Sequence, residues 1–220
     1  MNIPVVAIDG PSASGKGTVA QQVALKLGFH YLESGMLYRL LGLISLTGSL
    51  NESELVDYAK SMNVRFENGH ILLKDQDVTD SLRSEDCGNR ASEVARIPRV
   101  RAALLDYQRS LRKPPGLVAD GRDMGTVVFP DAALKVFLTA SPEVRAERRY
   151  KQLKDKGINA NLRALSRDLQ ERDARDASRA VAPLVPAPDS QVLDSSALSA
   201  EAVVERVLKM VEERVSGGRG

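Results

Sequence analysis

At 220 residues and 43% hydrophobic, the chain holds enough apolar material for one substantial core with a small inserted module, and no internal repeat or long linker divides it. A formal net charge of +2, with Lys and Arg dispersed among nearly as many carboxylates, excludes a global field for duplex nucleic acid or an anionic membrane, so any anion must be bound locally. The single cysteine, Cys87, excludes a disulfide framework and a four-cysteine zinc site, and no apolar run approaches the ~18 residues of a membrane span.

The Met-Asn-Ile-Pro start lacks the basic and apolar regions of an export signal, and no apolar heptad demands association. The expectation is a cytoplasmic monomer with no nucleic-acid or membrane partner. Aromatic residues are scarce and Trp is absent, so Val, Leu, Ile and Ala must fill the core, as suits buried parallel strands under helices.

Ile3 to Asp9 is a short apolar run ending in a glycine-rich turn, and Lys16 to Leu27 carries apolar residues at helical spacing up to Gly28, which reads as strand, loop, helix. From Ser34, available as an N-cap, Leu37, Leu40, Leu41 and Ile44 predict a helix to about Gly48, and Glu52 to Met62 predicts another. Val64 and Phe66 alternate with Arg65 and Glu67, and Asn68-Gly69 precedes His70-Ile71-Leu72-Leu73, the pattern of a hairpin with a two-residue turn. Helices follow at about 84 to 95 and, opened by Pro98, about 98 to 112, before Pro114-Pro115-Gly116 breaks the chain. Leu117 to Asp120 and Ala133 to Leu138 are buried strand candidates. Ser141-Pro142-Glu143 signals the start of a helix that stops near Gly157. Leu162, Leu165 and Leu169 mark one face of the next helix. Gln191 to Asp194 is a last strand, Ser199 to Val215 a last helix, and the tail Ser216 to Gly220 reads as disordered.

Residues 10 to 18 read GPSASGKGT: Gly10, Pro11, Ser12, Ala13, Ser14, Gly15, Lys16, Gly17, Thr18. Glycines let the backbone fold around an anion with successive N–H groups pointing inward, the following helix adds its positive end, and the lysine reaches the outer phosphates. An apolar strand before and a helix after supply the context this motif needs, so the segment is a candidate ATP site. In the strict pattern a Ser or Thr follows the lysine; here Gly17 intervenes before Thr18. Mg²⁺ is therefore expected to be held mainly by water and phosphate oxygens, with no direct protein ligand assigned and Asp120 a candidate to hold its waters.

A phosphate acceptor is largely dianionic at neutral pH, its second pKa being near ~6, so transfer to it needs no residue to deprotonate it. Two scattered histidines fit that chemistry. Transfer does need positive charge to bring two polyanions together. Between residues 141 and 180 stand eight arginines against seven carboxylates. Arg163, Arg167 and Arg175 read equally well as a solvated helical face. Arg172, Asp176 and Arg179 differ, because they continue the Leu162, Leu165, Leu169 stripe at spacings of 3, 4 and 3. Charges at core positions must face a ligand or one another, and ligand contact is the expectation. The segment Asp120-Gly121-Arg122-Asp123-Met124-Gly125 follows a predicted central strand, where open α/β sheets bind ligands.

With GPSASGKGT, LESGMLYR at 32 to 39, ADGRDMGT at 119 to 126, ERDARDASR at 171 to 179 and APLVPA at 182 to 187, the chain resembles the bacterial cytidylate kinases over nearly its whole length. The resemblance implies an α/β, three-layer P-loop NTPase fold with a parallel sheet: a single kinase domain over 1–220 with core segments 1–33, 98–144 and 163–220, a monophosphate-binding insert at 34–97 and a short lid at 145–162. It implies phosphorylation of CMP and dCMP by ATP with Mg²⁺, in pyrimidine metabolism. By position, Ser34, Arg39, Arg122 and Arg179 resemble residues around the acceptor phosphate, with Arg122 also near the transferred group. Ser92, Arg101 and Asp123 resemble readers of the cytosine edge, and Arg172 and Asp176 residues near the pentose. Arg148 and Arg149 lie at the start of the lid over ATP. Lys16, Arg122 and Arg179 are thus the expected catalytic residues. A UMP or AMP kinase on the same scaffold is the nearest alternative. A slow nucleotide-dependent switch is another, against which stands the missing Asn-Lys-x-Asp guanine-reading motif.

Overall fold

Val5-Val6-Ala7-Ile8-Asp9 has no polar residue until its end, the pattern of a strand covered on both faces, and all five positions are buried in β1 (Val5–Asp9). The computed structural model describes residues 3–48, 50–62, 64–67 and 70–216. After β1 come α1 (Lys16–Leu27), β2 (His30–Glu33), α2 (Ser34–Thr47), α3 (Glu52–Lys60), β3 (Val64–Glu67), β4 (His70–Leu73), β5 (Gln76–Asp77), α4 (Thr79–Arg83), α5 (Glu85–Val94) and α6 (Pro98–Ser110). Then follow β6 (Leu117–Gly121), a π-helical turn (Met124–Val128), β7 (Leu134–Thr139), α7 (Pro142–Asp155), α8 (Leu162–Ala177), β8 (Gln191–Asp194) and α9 (Ala200–Ser216). The expected Asn68-Gly69 turn lies outside the described residues, although β3 and β4 pair antiparallel with Glu67 opposite His70. The expected tail also lies outside them from Gly217 onward. Among the described residues no helix is long and apolar enough to cross a membrane.

The chain divides into two compact units, Met1–Glu33 with Arg109–Gly220, and Ser34–Gln108. The second unit starts where the expected insert starts and extends past residue 97 to take in most of α6. Its core is Met36, Leu40, Ile71, Leu82 and Cys87, so the lone cysteine is a packing residue. Caps explain its helix starts: Asn51 accepts from Glu54 N while Glu54 accepts from Asn51 N, a reciprocal capping box, and the Ser84 hydroxyl accepts from Cys87 N.

The first unit is built on five parallel strands in the order β2-β6-β1-β7-β8. Val6, Ile8, Val118, Val136 and Leu138 face Val19 and Val23 of α1 and Val203, Val207 and Val211 of α9 in one apolar cluster. Register then sets the chemistry. Asp9 pairs with Gly121 and Phe137, Glu33 with Asp120, and Thr139 with Asp194, so five strands end on one edge and their loops leave together.

Two glycines shape the loop after β1. A Cβ on Gly10 would stand 2.0 Å from the Leu138 carbonyl oxygen, and Gly15, at φ +89°, is the left-handed residue that opens α1. Gly10→Ala is therefore expected to lower unfolding stability by ~3 kcal/mol or more, because backbone must move to admit the methyl group. Urea unfolding of the two proteins checks this.

Candidate active site

All residues in this and the next two paragraphs belong to the first unit. Lys16 opens α1, is 9% exposed, and donates from Nζ to the Pro11 carbonyl at 3.0 Å, folding its ammonium back over the loop. Burial, and then the charge of Arg122, lower its pKa to about 7. Ser12 is gripped at every polar group. Its N–H donates to Asp173 Oδ1 at 3.3 Å, its carbonyl accepts from Arg145 Nη1 at 3.2 Å, and its hydroxyl accepts from Arg122 Nη2 at 2.9 Å. Arg145, 6% exposed, also pairs with Asp173 and donates to the Ala140 carbonyl.

Asp176 of α8 and Arg179, just past the end of that helix, are buried on the predicted stripe and face one another. Asp176 is 1% exposed and sits between Arg122, whose Nε donates to Oδ2 at 2.9 Å, and Arg179, which donates to Oδ1. Leu165 and Leu169 are buried, whereas Leu162, at the helix start, is 41% exposed. Arg172 is half-buried on the same helix, and its charge contributes to lowering the Lys16 pKa. Arg167 pairs with Glu171 across one exposed turn, as a solvated face would have it.

Three residues that the sequence did not single out, Asp9, Tyr31 and Ser195, complete this region with Asp120. Asp9 accepts from the backbone N–H groups of Met124 and Gly125, both at 2.8 Å, which ties the start of the π-helical turn, and with it Arg122 and Asp123, to the end of β1. Burial is the main cause of its raised pKa, about 6. Asp120 accepts from the Tyr31 hydroxyl at 3.0 Å, and burial, then the charge of Glu33, push its pKa up to about 7. Ser195, in the turn after β8, accepts from Arg148 Nη1 at 3.0 Å, while Arg148 also donates to the carbonyls of Ser195 and Ser14 at 2.7 and 3.1 Å. This fixes the guanidinium beside the phosphate loop. Behind it a cavity of about 270 Å³ is lined by Ala13, Gly15, Val19, Gln152 and Leu198 among others. Arg149 donates to Gln152. Thr18 is exposed on the first turn of α1, and Asp123 is 2% exposed.

In the second unit, Ser34 and Ser92 are buried at 2% and 3% exposure. Arg39 donates to the carbonyls of Leu82 and Ser84. Arg101, 8% exposed, lies 5.6 Å over the Tyr38 ring and donates to the Ala95 carbonyl.

A parallel sheet whose central strand runs into a glycine-rich turn, with a buried lysine at the head of the next helix and arginines converging from α7 and from the segments after β6 and α8, defines a P-loop phosphotransferase. A gluconokinase from Sinorhizobium meliloti shares the fold, at 15% identity and a TM-score of 0.53 over all of both chains. The family profile for cytidylate kinase matches residues 6–213, and the chain belongs to that family. A cytidylate kinase from Bordetella bronchiseptica is 56% identical over 208 residues, 93% of each chain. Another, from Nitrosomonas europaea, is 52% identical over 215 residues, 96% of each.

Lys16→Met is expected to lower kcat by ~10²–10³-fold or more, as the phosphate-loop sequence implies, while leaving the fold intact, since the cost of burying the ammonium outweighs its one bond to the Pro11 carbonyl. Circular dichroism and thermal melting check the fold, and a melting temperature at or above that of the parent is the expected result. Asp176→Ala should behave in the opposite way. It leaves Arg122 and Arg179 without their shared carboxylate, so the protein should lose ~3–5 kcal/mol of unfolding stability, read by urea titration.

Proposed function

We propose that the chain transfers the terminal phosphoryl group of ATP to CMP and dCMP, giving ADP and CDP or dCDP, within pyrimidine nucleotide metabolism in the cytoplasm, where these nucleotides occur. The observation that carries this reading is the convergence of two cationic sets on adjacent loop residues: Lys16, which bonds the Pro11 carbonyl, and Arg122, which bonds the Ser12 hydroxyl and shares Asp176 with Arg179. One set serves the donor triphosphate and the other a second phosphate. No histidine stands among these residues, since His30 bonds the Pro114 carbonyl and His70 pairs with Asp77 in the second unit. A phosphate acceptor, already dianionic, needs none.

The donor's phosphates lie along Gly10, Pro11, Ser12, Ala13, Ser14, Gly15, Lys16, Gly17 and Thr18, with backbone N–H groups and the start of α1 as the anion site. Its base takes the cavity walled by Val19 and Leu198, and Arg148 and Arg149 belong to a lid at 145–162 that excludes water as it closes. Arg122 and Arg179 align and neutralise the acceptor phosphate during in-line attack. Asp123 takes the exocyclic amine of cytosine, and Arg172 and Asp176 serve the pentose. The second unit acts as the monophosphate-binding insert, with Ser34 and Arg39 for the acceptor phosphate and Ser92 and Arg101 for the base.

The residues present fit Mg²⁺. A Cβ on Gly17 would lie 3.9 Å from Asp120 Oδ2, so a carboxylate borders the place where a strict phosphate loop puts its hydroxyl. That carboxylate is 4% exposed and its pKa is raised by burial, an electrostatic cost that a divalent cation relieves. Asp120 would hold the ion through its waters. Bound with ATP, Mg²⁺ neutralises phosphate charge and orients the transferred group.

An ADP-release assay over CMP, dCMP, UMP, AMP and GMP tests the reading. CMP and dCMP should be turned over far more efficiently than the rest. Asp123→Ala should reduce kcat/KM for CMP by about tenfold to a hundredfold and for UMP much less, because uracil lacks the amine. Equal losses for both would remove Asp123 from base selection, and turnover independent of any nucleoside monophosphate would sink the proposal.

A further inference from the structure

Tyr31 is a β2 residue whose ring packs against the apolar cluster under α1, so its hydroxyl emerges at the forward edge of the sheet. β2 pairs with β6 in parallel, with Tyr31 opposite Val118 and Glu33 opposite Asp120. From there the phenol reaches diagonally forward and donates to Asp120 Oδ1 at 3.0 Å. The other oxygen, Oδ2, turns toward α1. A Cβ built on Gly17 would meet the Tyr31 hydroxyl oxygen at 3.7 Å and Asp120 Oδ2 at 3.9 Å, with no other heavy atom within 4 Å apart from those of its chain neighbours and of α1's own backbone. Gly17, the Tyr31 hydroxyl and Asp120 Oδ2 thus border one small space beside Lys16, in the position where the strict phosphate-loop sequence carries a Ser or Thr oxygen.

We infer that Tyr31 is a positioning residue for phosphoryl transfer: by holding Asp120 Oδ1 it aims Oδ2 at the space beside Gly17, so that strand β2 and strand β6 together replace the hydroxyl that the phosphate loop lacks. The terminal torsion of an aspartate is soft and broad, so a carboxylate with nothing on either oxygen would turn freely between its neighbours. Glu33 repels it, and Lys16 and Arg122 attract it. A neutral donor pinned by core packing sets the orientation without adding charge. This is the outer-partner arrangement that orients metal-holding carboxylates in general.

The inference rests on the proposed Mg²⁺ and ATP site. Its test is the isosteric Tyr31→Phe in the whole chain, titrated calorimetrically with ATP once in excess Mg²⁺ and once in EDTA, beside thermal melting and steady-state kinetics. With Mg²⁺ present, Tyr31→Phe should bind ATP about tenfold more weakly than the parent, whereas in EDTA the two should agree. The KM for CMP should stay unchanged while kcat falls. Equal affinities under both conditions overturn the inference. Equal losses under both also overturn it, and with a lowered melting temperature they make the bond a structural one. A parent protein whose ATP affinity ignores Mg²⁺ overturns the proposed metal site as well, and a parent that binds no ATP overturns the proposed donor, so the failures can be told apart.

Discussion

Buried positive charge around a single backbone turn is the constraint on which the first unit depends. Lys16, Arg145 and Arg179 are each no more than 9% exposed, and isolated cations at such depth would cost several kcal/mol apiece. The compensation is specific. Asp173 takes Arg145, Asp176 takes Arg122 and Arg179 together, and Asp120 stands near Lys16. Those carboxylates come from α8 and from the end of β6, so the cations can be buried only if helix and strand arrive at the loop in the observed register. The result is a set of cationic donors held in place by the fold itself, the preorganised form that the proposed transfer calls for.

Ser12 shows how that charge network couples to the loop. Because Asp173, Arg145 and Arg122 hold its N–H, its carbonyl and its hydroxyl, the loop is joined to α8, α7 and the segment after β6 through one residue. A shift of either helix must carry Ser12 with it or break a charge-assisted bond. Arg148 adds a second tie from α7, to the carbonyl of Ser14. Motion of α7 is therefore not independent of the loop's shape, and the loop's shape decides which N–H groups face an anion.

Periodicity exposed the elements that are long or evenly buried. β1, α1, α2, α7 and α9 follow from apolar spacing with caps or glycines at their ends. β2 escaped because His30-Tyr31-Leu32-Glu33 buries only Leu32 well, and β5 and α4 are too short to show a period. The α8 stripe was legible as buried charge, yet its pairing was not: the Arg122–Asp176 contact spans 54 residues, and no local rule reaches that far. Asp9 did leave a signal, an acid closing an otherwise apolar central strand. Ser195 left none, since a serine after a short strand looks like any turn, and only the fold brings it to Arg148.

Asp9 also shows that the site is arranged at the expense of the fold. Its two oxygens take adjacent backbone N–H groups, so the carboxylate works as a clamp between the strand that feeds the phosphate loop and the turn that carries Arg122 and Asp123. Burial nonetheless outweighs those bonds and raises its pKa from 3.8 to about 6. Within that window the folded protein binds a proton more tightly than the unfolded chain. This group's contribution is therefore fully present below the unfolded value and is lost as pH rises through about 6. At neutral pH the charged clamp thus stabilises less than the protonated one would. A neutral amide would remove that burden, but its NH₂ would face one of the two N–H donors and leave it unpaired. Only a carboxylate offers an acceptor to both, so the position gives up stability to keep the two loops at one level, which is where a residue serving the site rather than the core is expected to stand.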